Sequence, residues 1–189
     1  MKKSGVLFAV SLALFMESVD TTILNTAIPV MAKSFQVHPI DLKLALISYL
    51  LSLAIFIPIS GWVADKFGIK QVFITALGVF TLSSLWCGLT QNLNELIVAR
   101  ILQGIGGSFT LPLGRLIILK SYPRRELLSK MSVVIMVASL GMMLGPLLGG
   151  IIVNHIFWRW IFWVNIPVGI IAIFLSLKTL PLTPKIAVP

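Results

Sequence analysis

Residues 6–28, VLFAVSLALFMESVDTTILNTAI, decide what class of fold this chain adopts. Positions 6–16 hold a hydroxyl and no charge, and the run stays mainly apolar as far as Ile28. A helix of about 20 such residues, rising roughly 1.5 Å each, crosses the hydrocarbon core of a bilayer. Met1, Lys2 and Lys3 before the run give the start the look of a secretory signal peptide, but no small-residue cleavage site closes it. The expectation is a retained first span that Pro29 ends.

Working outward, the same pattern recurs at 42–63, 72–90, 96–119, 131–153 and 160–177. That makes six spans with short connections, so neighbours run antiparallel. The 189 residues are 58% hydrophobic and 11% charged, whereas soluble domains carry about 25% charged residues. Too few polar residues remain to cover a water-facing surface, which excludes a soluble protein with a large core. The net charge of +9 does not point to nucleic acid, because the basic residues sit singly or in small groups between apolar runs. With the amino terminus inside, Lys2, Lys3, Lys66, Lys70, Lys120, Arg124, Arg125, Lys130, Lys178 and Lys185 are cytoplasmic, while Lys33, Lys43 and Arg159 are outside. This asymmetry follows the positive-inside rule and puts both termini on the cytoplasmic side of the plasma membrane. Trp158, Trp160, Phe162 and Trp163 then fall at the outer water interface. Residues 1–180 read as one membrane domain, and 181–189, with Pro181, Pro184 and Pro189, as an extended tail.

Ionisable groups inside a bilayer are costly, so each is a functional candidate. Here they are Glu17 and Asp20 in the first span and Arg100 and Arg115 in the fourth. On a helical projection Glu17, Asp20, Thr21 and Asn25 share one arc, with Val19, Ile23 and Thr26 opposite. Asp20 lies roughly 12 Å from the outer end of its span and Arg100 roughly 8 Å from the outer end of its own. Those depths allow a shared cavity. Arg115 lies near the inner interface, where its long side chain reaches water. Desolvation and a neighbouring guanidinium act on a carboxylate in opposite senses. A carboxylate held between them can gain and lose a proton as a cavity alternates between faces. Asp20 or Glu17 is thus the candidate proton carrier and Arg100 its modulator; the plainer reading is a static ion pair joining two helices.

Other chemistry is sparse. Cys87 has no second cysteine to pair with, and His38 and His155 fall far apart between apolar runs, as solvated loop residues. No catalytic residue set, metal cluster, phosphate loop or cofactor motif stands out, so an enzyme is not expected. Gly141, Gly145 and Gly149 recur at every fourth position, a surface for close helix approach. Pro146 within that surface frees a backbone carbonyl and favours a bend. Residues 61–70, GWVADKFGIK, read as a tight cytoplasmic loop turning at a glycine.

Taken in order, these motifs resemble the major facilitator superfamily, and within it the fourteen-span drug:proton antiporters. The resemblance extends over essentially the whole chain. Gly61, Asp65, Lys66, Gly68 and Lys70 are similar to the superfamily loop motif, whose acid and bases latch two transporter halves together on the cytoplasmic side. Ile69 stands where a base is usual, which implies a weaker latch. Arg100, Gln103, Gly104, Gly106 and Gly107 resemble the fourth-helix motif, whose arginine is implicated in proton coupling. Gly141, Gly145, Pro146, Gly149 and Gly150 match the fifth-helix motif of exporters, which is associated with antiport. Residues 19–29 resemble the first-helix motif of the fourteen-span group, and 158–169, with Asn165, Pro167 and Gly169, its sixth-helix entry. Glu17 departs from the pattern, either adding charge that favours cationic substrates or having no consequence.

The resemblance implies an all-α integral membrane fold, six helices arranged as a three-plus-three inverted repeat, forming one half of a transporter. It implies proton-driven export of small hydrophobic or cationic drugs, with Glu17, Asp20, Asn25, Arg100 and Gln103 at the coupling site and cavity, and no cofactor beyond the proton gradient. The partners are the bilayer, a small-molecule substrate and a second half, supplied by another chain or by a copy of this one. The glycine face of the fifth helix and the latch at Asp65 are expected to meet helices of that second half. Three other readings stay open: a truncated protein that does not transport, a small membrane scaffold, and an uptake permease.

Overall fold

A chain in lipid must pair its backbone N–H and C=O groups internally, and an all-helical fold achieves this. The computed structural model describes residues 3–180. In chain order the helices are α1 (Lys3–Phe35), α2 (Lys43–Phe56), α3 (Ser60–Phe67), α4 (Ile69–Leu89), α5 (Leu93–Ser121), α6 (Arg124–His155), α7 (Trp160–Trp163) and α8 (Asn165–Thr179). α1, α4, α5, α6 and the combined α7–α8 are each long and apolar enough to cross a membrane. α2 and α3, bent by 58° at their junction, make the sixth span when taken as one broken helix. The chain is therefore a multi-pass membrane protein. The tail at 181–189, with Lys185, and Lys2 at the other end lie outside the described residues.

Several expectations from the sequence are corrected. Pro29 does not end α1, which continues to Phe35. Met31 and Ala32 beyond it are buried in the apolar core, and their packing outweighs the hydrogen bond that the proline forgoes. The second span is broken instead, at Pro58. Without a donor there, the N–H groups of Ile59 and Ser60 turn back to Phe56 O and Ile57 O at 3.2 and 3.1 Å. Residues 61–70 are not a loop: α3 covers most of them, Gly68 alone leaves helical geometry at φ 92°, and α4 resumes at Ile69. That positive φ is where glycine is favoured. His155 is the last residue of α6, not a loop residue. Of the aromatic cluster, Trp160 is exposed but Trp158 and Phe162 are buried, the indole packing edge-on against Phe35 and Phe162.

The spans pack in two exchangeable sets. α1 lies along α6, and α2 along α5; α4 lies along α5, and α8 along α1. Swapping the first three spans with the last three maps each of these contacts onto its counterpart. The α1–α5 and α4–α8 contacts map onto themselves. This is the internal symmetry of a three-plus-three repeat.

The glycine face of α6 is also used within the chain. Gly141, Gly145 and Gly149 are buried. A Cβ added at Gly141 would come within 2.8 Å of Phe15 O, and one at Gly149 within 2.9 Å of Ile23 O; at Gly145 it would strike the Thr22 hydroxyl. These glycines therefore seat α6 on α1 and do not await a second half. Thr22 and Thr26 fold their hydroxyls back onto carbonyls of α1, Thr26 donating to Ile23 O at 2.7 Å. Pro146 sits on the exposed side, away from the glycine face, and α6 runs past it unbroken. Gly150 has open space around it.

Gly145→Val should therefore lower stability by about 1–3 kcal/mol, the usual penalty of overpacking. Gly150→Ala should instead stay within about 1 kcal/mol of the parent. Thermal unfolding in detergent checks both, and equal effects at the two positions would contradict the packing described.

Candidate functional site

The apolar core divides into two clusters. One gathers Val6, Val10, Phe73, Phe80, Leu113 and Ile118; the other gathers Ile23, Leu24, Ala45, Leu96, Ala99 and Phe162. Four of the six spans carry a buried polar side chain near the level where one cluster gives way to the other. These are Asp20 on α1, Ser84 on α4, Arg100 and Gln103 on α5, and Asn165 at the start of α8.

The polar layer is a connected network. Arg100 Nη1 donates to Asp20 Oδ2 at 2.6 Å and to Gln103 Oε1 at 2.6 Å. Gln103 Nε2 donates to Asp20 Oδ1 at 2.9 Å and to Ser84 Oγ at 2.7 Å, and Asn165 Nδ2 donates to Asp20 Oδ1 at 2.9 Å. Asp20 thus receives a cation and two amides. The Cys87 thiol is a weak donor, 3.6 Å from Gln103 Oε1. Arg100 Nε and Nη2 have no hydrogen-bond partner among the described residues. Its guanidinium lies over Tyr49 instead, with Cζ 4.1 Å from the ring centroid, so the ring's negative face complements the cation. Asp20 and Arg100 are both fully buried; their mutual attraction, the amides on the carboxylate and the Tyr49 ring under the guanidinium offset the cost of taking two charges out of water.

The arc expected on α1 is divided. Asp20, Arg100 and Gln103 come together; Glu17 and Asn25 do not join them. Asn25 is exposed. Glu17 lines an open groove of about 660 Å³ between α1, α5 and α6, with Thr21, Leu111, Arg115, Met131 and Met142 among its walls. One Glu17 carboxyl oxygen, Oε2, is buried there without a hydrogen-bond partner. A larger groove of about 810 Å³ is bordered by Phe67, Lys70, Thr75, Phe109 and Leu177 and is almost wholly apolar.

The loop-motif residues are also separated. Asp65 and Lys66 are exposed on α3, with the Lys66 ammonium 4.9 Å from the Trp62 ring centroid. Lys70 Nζ donates to Leu177 O and Leu180 O, both at 2.8 Å. It caps carbonyls that the end of α8 leaves unpaired. Sequence reasoning missed Ser84, Tyr49 and Cys87 as members of the polar layer. A lone serine, tyrosine or cysteine in an apolar run carries no signal. Asn165 stood out as part of the sixth-helix entry, without a partner assigned to it.

A model of the Major Facilitator Superfamily matches residues 10–188. Among curated relatives, the putative multidrug resistance protein MdtD of Shigella flexneri serotype 5b (strain 8401) is 46% identical over 175 residues, covering 93% of this chain and 37% of that protein. Its counterpart in Salmonella paratyphi B is 45% identical over the same share of each chain. The chain thus spans 37% of the length of these relatives. Two solved structures share the fold. A bacterial homolog of the human lysosomal transporter Spinster, inward-facing and unoccupied, matches with a TM-score of 0.73 at 20% identity, covering 97% of this chain and 44% of that one. The human organic anion transporter MFSD10 (TETRAN) matches with a TM-score of 0.76 at 18% identity, covering 98% and 49%.

Because the ion pair is buried, Arg100→Gln should destabilise the chain by about 3–5 kcal/mol, leaving Asp20 charged and unpaired. Adding Asp20→Asn should recover part of that loss. A double-mutant cycle on denaturant unfolding measures the coupling, and additive single effects would mean that the two charges do not act as a unit.

Proposed function

This chain belongs to the Major Facilitator Superfamily, and on that premise we propose that it supplies the amino-terminal half of a proton-coupled exporter of small hydrophobic or cationic compounds. The observation that carries the proposal is the Asp20 carboxylate, held by Arg100, Gln103 and Asn165 in a dry layer between two apolar clusters. The similarity to the multidrug resistance proteins MdtD supports export of drugs.

Ionised, Asp20 balances Arg100 and ties α1 to α5 and α8. Protonated, it no longer neutralises the guanidinium, and one of its oxygens becomes a donor among groups that are themselves donors. The ion pair then loosens, and α1 can shift against α5. Proton uptake and release at Asp20 would thereby bias which face of the cavity is open. Gln103 is positioned to hold the carboxylate in line with Arg100 through both states. The exporter-type glycines would let α6 stay seated on α1 during such a shift. A second half, from another chain or a copy of this one, would complete the cavity and meet the exposed Asp65 latch. Both termini would lie in the cytoplasm of the plasma membrane, as the lysine and arginine asymmetry requires.

The test uses everted membrane vesicles from cells that produce this chain together with a six-helix carboxyl-terminal half of a relative. Adding ethidium to energised vesicles should dissipate the pH gradient, read by an acridine dye. Asp20→Asn should reduce that response to the level of vesicles lacking the protein. A full response from Asp20→Asn would leave the ion pair with a purely structural role.

A further inference from the structure

Glu17 is an acid the ion-pair network does not use. Its Oε2 is buried and has no hydrogen-bond partner, and a carboxylate in that position is costly unless a cation meets it. No cation among the described residues pairs with it. Arg100 is committed to Asp20. The Thr21 hydroxyl donates to the Glu17 backbone carbonyl at 2.9 Å and not to the carboxylate. Arg115 lines the same groove but stands toward its far end. It adjoins Gly114, whose Cβ position falls nearest Val10, roughly 10 Å along α1 from Glu17, and next Leu14, about one turn from it. No ion pair joins Arg115 to Glu17 among the described residues.

Apart from the hydroxyls of Ser18, Thr21 and Ser139 and the base of Arg115, the groove is apolar and adaptable. Leu111, Met131, Ile135 and Met142 face it from α5 and α6, and methionine side chains repack readily around varied shapes. At about 660 Å³ it falls within the range of roughly 300–1,000 Å³ that holds drug-sized ligands. A half-buried acid with one oxygen shut away and unpaired, set in a mainly apolar wall, is complementary to a lipophilic molecule bearing one positive charge.

Resting on the transport reading above, we propose that Glu17 is the residue with which this chain reads substrate charge. An organic cation sets its positive group against Glu17 and its apolar body along α5 and α6, while Asp20 is left to the proton. Charge recognition and proton coupling then belong to different carboxylates, three positions apart on α1 and facing different surroundings.

The experiment is equilibrium binding to the full chain, purified in detergent, with tetraphenylphosphonium and its neutral isostere tetraphenylmethane as probes. No proton gradient is involved, so a failure of the transport reading would leave the result intact. The parent chain should prefer the cation by about tenfold or more, Glu17→Gln should abolish the preference while still binding the neutral probe, and Glu17→Asp should retain it. No preference in the parent chain, an unchanged preference in Glu17→Gln, or equal loss of both probes would overturn the proposal. A second measurement needs no variant. Carbodiimide labelling of the parent chain, mapped by mass spectrometry, should modify Glu17 and be blocked there by tetraphenylphosphonium; protection confined to Asp20 would also overturn it.

Discussion

The structure depends on one fact of electrostatics: Asp20 and Arg100 are opposite charges with no access to water. Neither could stay ionised alone at that depth, so each requires the other. This requirement fixes the approach of α1 to α5 more strictly than apolar packing does, because methyl groups tolerate small shifts and a 2.6 Å charged hydrogen bond does not. The amides follow from it. A carboxylate has more acceptor sites than one guanidinium nitrogen fills, and Gln103 and Asn165 occupy them. By reaching Asn165 the network also draws in α8, and through Ser84 it draws in α4. Four spans are thereby joined at one level, with apolar packing above and below.

Much of this was readable in the sequence, for reasons that differ between elements. The spans stood out because the bilayer imposes a length and a composition on every crossing. Asp20 and Arg100 stood out because charge is rare in such segments, and their depths matched by counting along two helices. Glu17 was grouped with Asp20 by the same projection, but the arc on α1 is wide enough to face two different neighbours. A helical wheel assigns a side without saying what stands opposite. Tyr49 and Ser84 were hidden for a related reason, since their role comes from partners on other helices. Pro29 and Pro58 show the limit of local rules most plainly. The same residue type is absorbed within α1 and breaks the second span, and the difference lies in whether the chain beyond it has a core to pack into.

The ends of the fold are joined by polar contacts of another kind. Lys70, near the start of α4, closes on the last carbonyls of α8, and Arg159 ahead of α7 donates to Thr90 O after α4, at 3.2 Å. α4 and the α7–α8 span are thus cross-linked at both extremities by a base reaching an unpaired carbonyl. A residue type that sets orientation by its charge also supplies the donor that a helix end lacks. Lys70 belongs to the set expected to latch two halves, and its bonds here are made inside one half.

The seat of α6 on α1 has a further consequence for register. Gly141 accommodates Phe15 and Ser18, Gly145 accommodates Val19 and Thr22, and Gly149 accommodates Ile23 and Thr26. Both strips repeat every four residues, so moving one helix by four residues, about 6 Å, brings a hydroxyl opposite a glycine again. Ser18 would then rest on Gly145 and Thr22 on Gly149. A zipper of interlocked side chains has one correct alignment; a groove of glycines against a row of small hydroxyls has more than one. A close seat is therefore not by itself a commitment to one register of α6 along α1.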